Sequence, residues 1–173
     1  MRREAKPDFS GTMLALVPDE TPPFKNESGS HFHVTLGIYG PSEQVNHEHL
    51  MGEVAWLAKH QDPLHGEFSG YGTFKQDDGD VLYASLDVPG LNAFQEWFTT
   101  ELMYEGFYNQ SSHAFVPHMT LKYGFEGKLP SWPEDVPTVV SFSHIYVCFD
   151  ETWIPYKLGE GLDGSPTTAL YHE

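Results

Sequence analysis

Two short segments of this chain repeat one pattern, and the repeat constrains the fold more than any other feature of the sequence. Residues 33–36 read His-Val-Thr-Leu, and residues 118–121 read His-Met-Thr-Leu. Each segment continues to a Tyr-Gly pair, at 39–40 in the first and at 123–124 in the second. Such an internal repeat predicts two structural halves related by a pseudo-twofold axis.

Alternation along a β-strand determines which side chains of each motif meet. Successive side chains point to opposite faces, so His33 shares a face with Thr35, and His118 shares a face with Thr120. The apolar residues between them then point into a core. If the two halves face each other, two histidines and two threonines converge in one groove.

These residue types supply the groups that cleavage of a phosphodiester needs. Histidine has an unperturbed pKa near 6.5, so one ring of a pair can accept a proton while the other donates one. Threonine hydroxyls can donate hydrogen bonds to phosphate oxygens on which charge develops. We therefore predict His33, Thr35, His118 and Thr120 to be catalytic, without a metal ion or another cofactor. The base is assigned to His33 and the acid to His118, although the repeat alone makes them interchangeable.

The residues that follow the motifs are placed by the same alternation. Lys122 lies two residues after Thr120, so it is predicted on the face of His118, where its charge would support a phosphate. The longer first motif places Tyr39 on the face of His33, where its ring would stack on a base. A solvated lysine and a packed tyrosine are the alternatives.

Other residues near the motifs are expected to have packing roles. Tyr123 falls on the face opposite His118 and is predicted in the core. Phe115 and Trp153 are candidates for a nucleobase pocket, but core packing is the expected role of both. Cys148, in a predicted strand, is expected to be a small buried hydrophobic residue.

Hydrophobic spacing predicts the order of the secondary structure elements. The predicted strands cover residues 11–17, 31–39, 68–75, 81–88, 115–123, 139–149 and 153–158, and the predicted helices cover residues 42–60 and 91–103. This order predicts an α+β fold with antiparallel or mixed sheets. We expect one domain over residues 11–158, with flexible segments at 1–10 and 159–173.

The balance of charges limits the class of ligand. The 173-residue chain has 9 Lys plus Arg and 25 Asp plus Glu, a net charge of −16. Long nucleic acids are bound mainly through clustered Lys and Arg, and the sequence has no such cluster. The predicted ligand is therefore a small nucleotide or a short RNA end rather than a long nucleic acid. Acidity that only keeps the protein in solution is the alternative.

Other features of the sequence favour a cytoplasmic protein that does not bind membranes. No apolar run approaches the roughly 18 residues that a membrane-spanning helix needs. The first residues contain no apolar segment typical of a secretory signal. Cys148 is the only cysteine, which excludes an internal disulfide and a metal site with several cysteines.

The remaining histidines raise a metal-dependent reaction as an alternative. His31 with His33, and His47 with His49, form two His-x-His pairs that could ligate zinc together with a carboxylate. However, His47 and His49 lie on a predicted helix, where a spacing of two residues separates the side chains. No His-Glu-x-x-His sequence occurs. We therefore predict no metal site.

Together the two motifs resemble those that define the two-histidine (2H) phosphoesterase superfamily, which includes the RNA ligase-like cyclic phosphodiesterases. The resemblance extends from about residue 11 to residue 158 and includes Pro117, just before the second motif. It implies a bilobal fold in which antiparallel sheets line a central cleft and helices lie outside. It also implies an enzyme acting on phosphates next to a ribose hydroxyl, in 2′,3′-cyclic phosphates, 2′,5′-linked oligonucleotides or cyclic dinucleotides.

A narrower resemblance points to phage-encoded members. Residues 11–18 read Gly-Thr-Met-Leu-Ala-Leu-Val-Pro, and residues 115–123 read Phe-Val-Pro-His-Met-Thr-Leu-Lys-Tyr. This resemblance implies an anti-CBASS enzyme that degrades the cyclic oligonucleotide signals of bacterial anti-phage defence in the host cytoplasm. A nucleotide-binding module without catalysis and an enzyme that processes RNA 3′ ends are the alternatives. The sequence does not indicate an oligomeric state.

Overall fold

The computed structural model describes residues 11–111 and 113–159, which form two four-stranded antiparallel sheets and two α-helices. The first sheet contains β1 (Thr12–Leu16), β2 (Val34–Gly40), β7 (His144–Phe149) and β8 (Thr152–Lys157), in the order β2-β1-β7-β8. The second contains β3 (Leu64–Phe74), β4 (Asp80–Asp87), β5 (His118–Phe125) and β6 (Val139–Phe142), in the order β5-β4-β3-β6. The helices are α1 (His47–Ala58) and α2 (Leu91–Tyr104).

Each motif strand has the same place in its sheet. β2 is an edge strand paired with β1, and β5 is an edge strand paired with β4. The two edge strands contact each other, which brings the two motifs together between the sheets. One hydrophobic core draws on both sheets and both helices. The predicted α+β fold with two antiparallel lobes is confirmed.

The first helix starts later than the sequence predicted. Residues Ser42–Gln44 form a single 3₁₀ turn, and α1 begins only after Asn46, whose side-chain Oδ1 accepts a hydrogen bond from His49 N at 3.0 Å. Asparagine is among the best N-cap residues, whereas Ser42 makes no cap hydrogen bond to the 3₁₀ turn or to α1. The prediction that the helix covers residues 42–60 was therefore wrong at its start.

The predicted strand at 139–149 is two strands that belong to different sheets. β6 pairs with β3 in the second sheet, and β7 pairs with β1 in the first. Between them, the backbone N–H and the hydroxyl of Ser143 donate to Asp19 Oδ1 at 2.9 and 2.8 Å. Because these bonds take Ser143 out of both ladders, the chain passes from one lobe to the other at this residue.

Three further predictions concern the flexible chain ends, the burial of Cys148 and membrane-spanning helices. The predicted flexible ends lie outside the described residues apart from Gly159, whose N–H donates to Ala58 O at 2.9 Å. Cys148 is fully buried, as predicted. In the described ranges, neither helix is long and apolar enough to cross a bilayer.

Candidate active site

Both motifs point their apolar residues into the core, and three of their four polar residues line one cleft. Residues 34, 36, 119 and 121 are at most 3% exposed, so the alternate side chains face the other way. Thr35, His118 and Thr120 line a cleft of about 540 Å³. His33 lies immediately before β2, close enough to His118 for the charge of one ring to affect the other. The structure therefore places three of the four predicted catalytic residues in this cleft, and His33 lies near His118 without lining the cleft.

Both histidine rings are held by the same backbone interaction. His33 Nδ1 lies 2.7 Å from His31 O, and His118 Nδ1 lies 2.6 Å from Val116 O. A carbonyl oxygen only accepts hydrogen bonds, so each Nδ1 carries the hydrogen. In the neutral ring the lone pair is then on Nε2. Each ring can accept a proton there, or donate one from there once it is protonated.

The surroundings lower the pKa of both rings, but not for the same reasons. Burial lowers the pKa of His33, the charges of His118 and His31 lower it further, and the hydrogen bond to His31 O opposes them. Burial also lowers the pKa of His118, against the hydrogen bond to Val116 O. Two neighbouring histidines therefore favour the neutral form of His33, in addition to the burial that acts on both rings.

An aromatic ring from the far edge of the first sheet packs against the first histidine. The ring of Trp153 on β8 lies edge-on to His33, with centroids 5.2 Å apart, and also contacts His31 at 4.9 Å. Trp153 is partly exposed, and its predicted role in core packing does not describe this position. It joins a small second cluster of Met13, Ala15 and Cys148 on the cleft side of the sheet.

Two stacked rings hold the second histidine. Phe74 and Tyr83 stack with centroids 4.3 Å apart, and His118 lies edge-on to Phe74 at 4.9 Å and beside Tyr83 at 5.3 Å. Gly72 is opposite Tyr83 in the ladder. A Cβ at Gly72 would lie 2.5 Å from the Tyr83 ring, so a glycine is needed for the ring to occupy this position.

The two threonine hydroxyls have different neighbours. Thr35 Oγ1 lies 3.4 Å from Met13 Sδ, a weak acceptor. Thr120 lies opposite Tyr83 in the ladder, and its side chain makes a hydrogen bond with Tyr123. Burial raises the pKa of Tyr123, and this hydrogen bond opposes the rise. Thr120 is therefore part of a short polar chain, whereas Thr35 retains a hydroxyl with only a sulfur partner among the described hydrogen bonds.

The register of β5 changes inside the second motif, and the predicted positions of two residues were wrong. Tyr83 pairs with Thr120, but the next residue, Leu82, pairs with Lys122. This β-bulge reverses the alternation after Thr120. Tyr123 consequently lines the cleft, whereas the Lys122 ammonium lies 3.5 Å from Glu27 and does not line it.

The first motif strand contains two such register changes, so the predicted position of Tyr39 was also wrong. They lie between Thr35 and Gly37 and between Ile38 and Gly40. Tyr39 is only 6% exposed and packs in the main core, where its hydroxyl has no hydrogen-bond partner and burial raises its pKa. Ile38 lines the cleft instead. A glycine inside a strand pattern signals a bulge, and Gly37 is such a residue.

The connection from α2 to β5 forms another wall of the cleft, of which the sequence had suggested only Phe115 as a candidate. Asn109 Oδ1 accepts from Ile38 N at 3.0 Å, and Gln110 N donates to Ile38 O at 2.7 Å, so this segment is bound to the edge of β2. Gln95 Nε2 on α2 donates to Leu36 O at 3.0 Å. Asn109, Gln95 and Phe115 all line the cleft, which therefore combines amide and aromatic groups.

One group of possible metal ligands lies on the helices, outside this cleft. Among the described residues, ligand atoms of His49, Glu53 and Glu105 lie within 4.8 Å of one another. His49 Nε2 and Glu105 Oε1 are 3.1 Å apart and already form an ion pair when the ring is protonated. His47 points elsewhere: its Nε2 lies 2.7 Å from Ser42 O. None of these residues lines the main cleft.

Two facing antiparallel sheets that each contribute a His-x-Thr edge strand are the arrangement of a two-histidine phosphoesterase. A sequence model of the 2′-5′ RNA ligase superfamily matches residues 17–130, and the chain belongs to this superfamily. No curated protein matches the chain significantly.

Solved structures share the fold. One described as a phosphoesterase has a TM-score of 0.56 at 15% identity, and the match covers 88% of this chain and 97% of that chain. E. coli LigT, solved in complex with 3′-AMP, has a TM-score of 0.57 at 16% identity, and the match covers 86% of this chain and 95% of LigT. At these identities, the likeness extends to the fold.

Proposed function

We propose that this protein is a metal-independent phosphodiesterase that cleaves a small nucleotide by general acid–base catalysis. The observation that carries the proposal is the matched orientation of His33 and His118. Each Nδ1 donates to a backbone carbonyl, so both reactive Nε2 atoms are free of that bond. Each such group contributes roughly 10²- to 10⁴-fold to a rate.

His33 is the proposed base and His118 the proposed acid. A pair of titrating groups divides these roles when its surroundings separate the two pKa values. Burial lowers the pKa of both rings, and the charges of His118 and His31 also lower that of His33, which is why His33 is assigned the base. His33 Nε2 then removes a proton from a ribose hydroxyl or water, and His118 Nε2 gives its proton to the departing oxygen.

The threonines are proposed to bind the phosphate. Thr35 and Thr120 line the same cleft as His118, and a hydroxyl donor is suited to a non-bridging phosphate oxygen. Lys75, the one cation lining the cleft among the described residues, lies 3.0 Å from Asp80. Stabilisation of the phosphate therefore depends mainly on hydroxyl and imidazole groups.

The proposed substrates are the three classes that the sequence suggested: a 2′,3′-cyclic phosphate, a 2′,5′-linked oligonucleotide or a cyclic oligonucleotide signal. The amide and aromatic groups of the cleft support a nucleobase, since aromatic stacking on a base contributes about 1–3 kcal/mol. E. coli LigT was solved with 3′-AMP, a small nucleotide. We place the reaction in the cytoplasm, and in an infected host cell if the cyclic signal is the substrate.

A product assay with one member of each substrate class tests the proposal. Reactions run with a metal chelator and are followed by liquid chromatography and mass spectrometry. We expect wild type to cleave at least one class in the chelator, and a double His33→Ala, His118→Ala variant to cleave none. Full activity of the double variant, or activity restored only by added metal, would contradict the proposed mechanism.

A further inference from the structure

A second cavity lies beside Trp153, whose ring contacts His33. It has a volume of about 440 Å³ and lies between the 26–31 loop and the turn that joins β7 to β8. We call it the turn pocket, lined by Asn26, Ser30, His31, Asp150, Glu151 and Trp153 together with Gly29. The ring of Trp153 also contacts His33, and the carbonyl of His31 binds the His33 ring, so the turn pocket borders the first histidine of the pair.

One wall of the turn pocket is held by the carboxylate of Asp150. This residue occupies the left-handed region at φ 56°, which aspartate tolerates in tight turns. Its Oδ1 accepts from Gly11 N at 2.8 Å and from Ser42 Oγ at 3.1 Å, and its own N–H donates to Gly11 O at 2.8 Å. The turn is therefore fixed before any ligand binds.

The opposite wall is organised by Asn26. Its Oδ1 accepts from the N–H and the hydroxyl of Ser28, at 2.9 and 2.7 Å, and its Nδ2 donates to Ser30 O at 2.9 Å. Ser28 is almost fully buried, at 4% exposed. These bonds give the loop one conformation beside His31, so the turn pocket has two preformed walls.

The charged groups of the turn pocket are mostly acidic. Asp150 and Glu151 place two carboxylates at the turn, and among the described lining residues only His31 can carry a positive charge. A phosphate is repelled there, whereas the hydroxyl and amino groups of a nucleoside can donate to carboxylate oxygens. The partly exposed ring of Trp153 offers a face for a base.

We propose that the turn pocket binds one nucleoside of a substrate whose phosphodiester joins two nucleosides. This rests on the proposed function and narrows it to an internucleotide linkage. The nucleoside in the turn pocket supplies the attacking ribose hydroxyl, whose proton passes to His33. The new P–O bond closes a cyclic phosphate, the P–O bond to the second nucleoside breaks, and His118 protonates that oxygen in the main cleft.

The test compares three substrates that differ in one group each: 2′,5′-linked diadenosine monophosphate, the same compound with a 5′-phosphate, and adenosine 2′,3′-cyclic phosphate. The 5′-phosphate is attached to the nucleoside assigned to the turn pocket. We expect it to lower kcat/KM by about fivefold, as for a partly solvated charge pair. Glu151→Lys should remove this loss. Glu134→Lys, the same change at an exposed residue that lines neither cavity, should retain it.

If kcat/KM is the same with and without the 5′-phosphate, and Glu151→Lys does not change this, the proposal that the turn pocket binds a nucleoside of the substrate is overturned. Turnover of the cyclic mononucleotide alone would overturn it too, yet leave the proposed function intact. If none of the three is turned over, binding decides: the Trp153 indole N–H signal in NMR spectra, assigned with Trp153→Phe, should shift with the dinucleotide, and also with adenosine 2′,3′-cyclic phosphate, the product that the mechanism leaves in the turn pocket. No shift with the dinucleotide would overturn the proposal.

Discussion

The two halves of the site present the same motif in different surroundings. The ring of His33 meets one aromatic side chain, Trp153, and faces the charges of two other histidines. The ring of His118 is held by the stacked pair of Phe74 and Tyr83. The backbone orients both rings in one way, while the packing around them differs. The proposed division into base and acid therefore depends on the surroundings of the two rings, because the motifs themselves are alike.

The largest expected effect tests what the two halves share. Either His33→Ala or His118→Ala should lower kcat by about 10²- to 10⁴-fold, since each removes one proton-transfer group. The control is His60→Ala at the end of α1, because His60 Nδ1 also lies near a carbonyl, Trp56 O at 2.9 Å, but far from the motif in sequence. A tenfold difference in kcat between His60→Ala and wild type would contradict the account. Wild-type turnover by His33→Ala or by His118→Ala would contradict it too.

The pH dependence tests the shared burial. The proposed mechanism needs His33 neutral and His118 protonated, and burial lowers the pKa of both rings. Because the acid loses its proton above its lowered pKa, kcat/KM should peak below pH 6.5 and fall about tenfold per unit on the alkaline side. A phosphate in the cleft favours the charged ring, so the peak of kcat should lie at higher pH. A kcat/KM peak above pH 7.5 would contradict the lowered values.

Gly72→Ala should disturb the second half alone. The new Cβ would meet the Tyr83 ring at 2.5 Å, so the ring must shift, at a cost of about 1–3 kcal/mol in the free energy of unfolding. Loss of its contact should also lower kcat and change the NMR titration of His118, with that of His33 unchanged. Gly52→Ala on α1 is the matched control, since its Cβ would meet nothing within 4 Å. This control should stabilise the helix by about 0.5–1 kcal/mol.

The smallest expected effects separate the two tyrosines of the motifs. Tyr39→Phe removes a buried hydroxyl without a partner and should raise the free energy of unfolding by about 1 kcal/mol, with kcat unchanged. Tyr123→Phe removes the hydrogen bond to Thr120 and should lower kcat about three- to tenfold with little change in stability. Chemical unfolding and steady-state kinetics of both variants check this, and equal effects on kcat would contradict the assigned positions.

The catalytic arrangement was predictable because it depends on short-range alternation. Around Thr35 and within His118–Thr120 the strands keep period two, so Thr35, His118 and Thr120 face the cleft as expected, and His33 lies just before β2 and near His118. The order of the elements followed from hydrophobic spacing for the same reason. Local spacing therefore predicted the order of the elements, although it missed the start of α1 and the break at Ser143.

The positions beyond the motifs depended on features that local alternation does not contain. Bulges in β2 and β5 reversed the faces of Tyr39, Lys122 and Tyr123. Only Gly37 gave a hint of them. The contact of Trp153 with His33 joins the two edge strands of one sheet, and a single sequence carries no signal for such a long-range contact. The ligand-binding surroundings were accordingly harder to predict than the catalytic pair.

An NMR titration of His33 in wild type and in His118→Gln tests the central claim, that the two histidines form one coupled pair. It requires no substrate. The account predicts that the pKa of His33 lies below 6.5 in wild type and rises in the variant, because the charge of His118 is among the causes that lower it. A His33 pKa that is the same in both proteins would contradict the account, since the rings would then titrate independently.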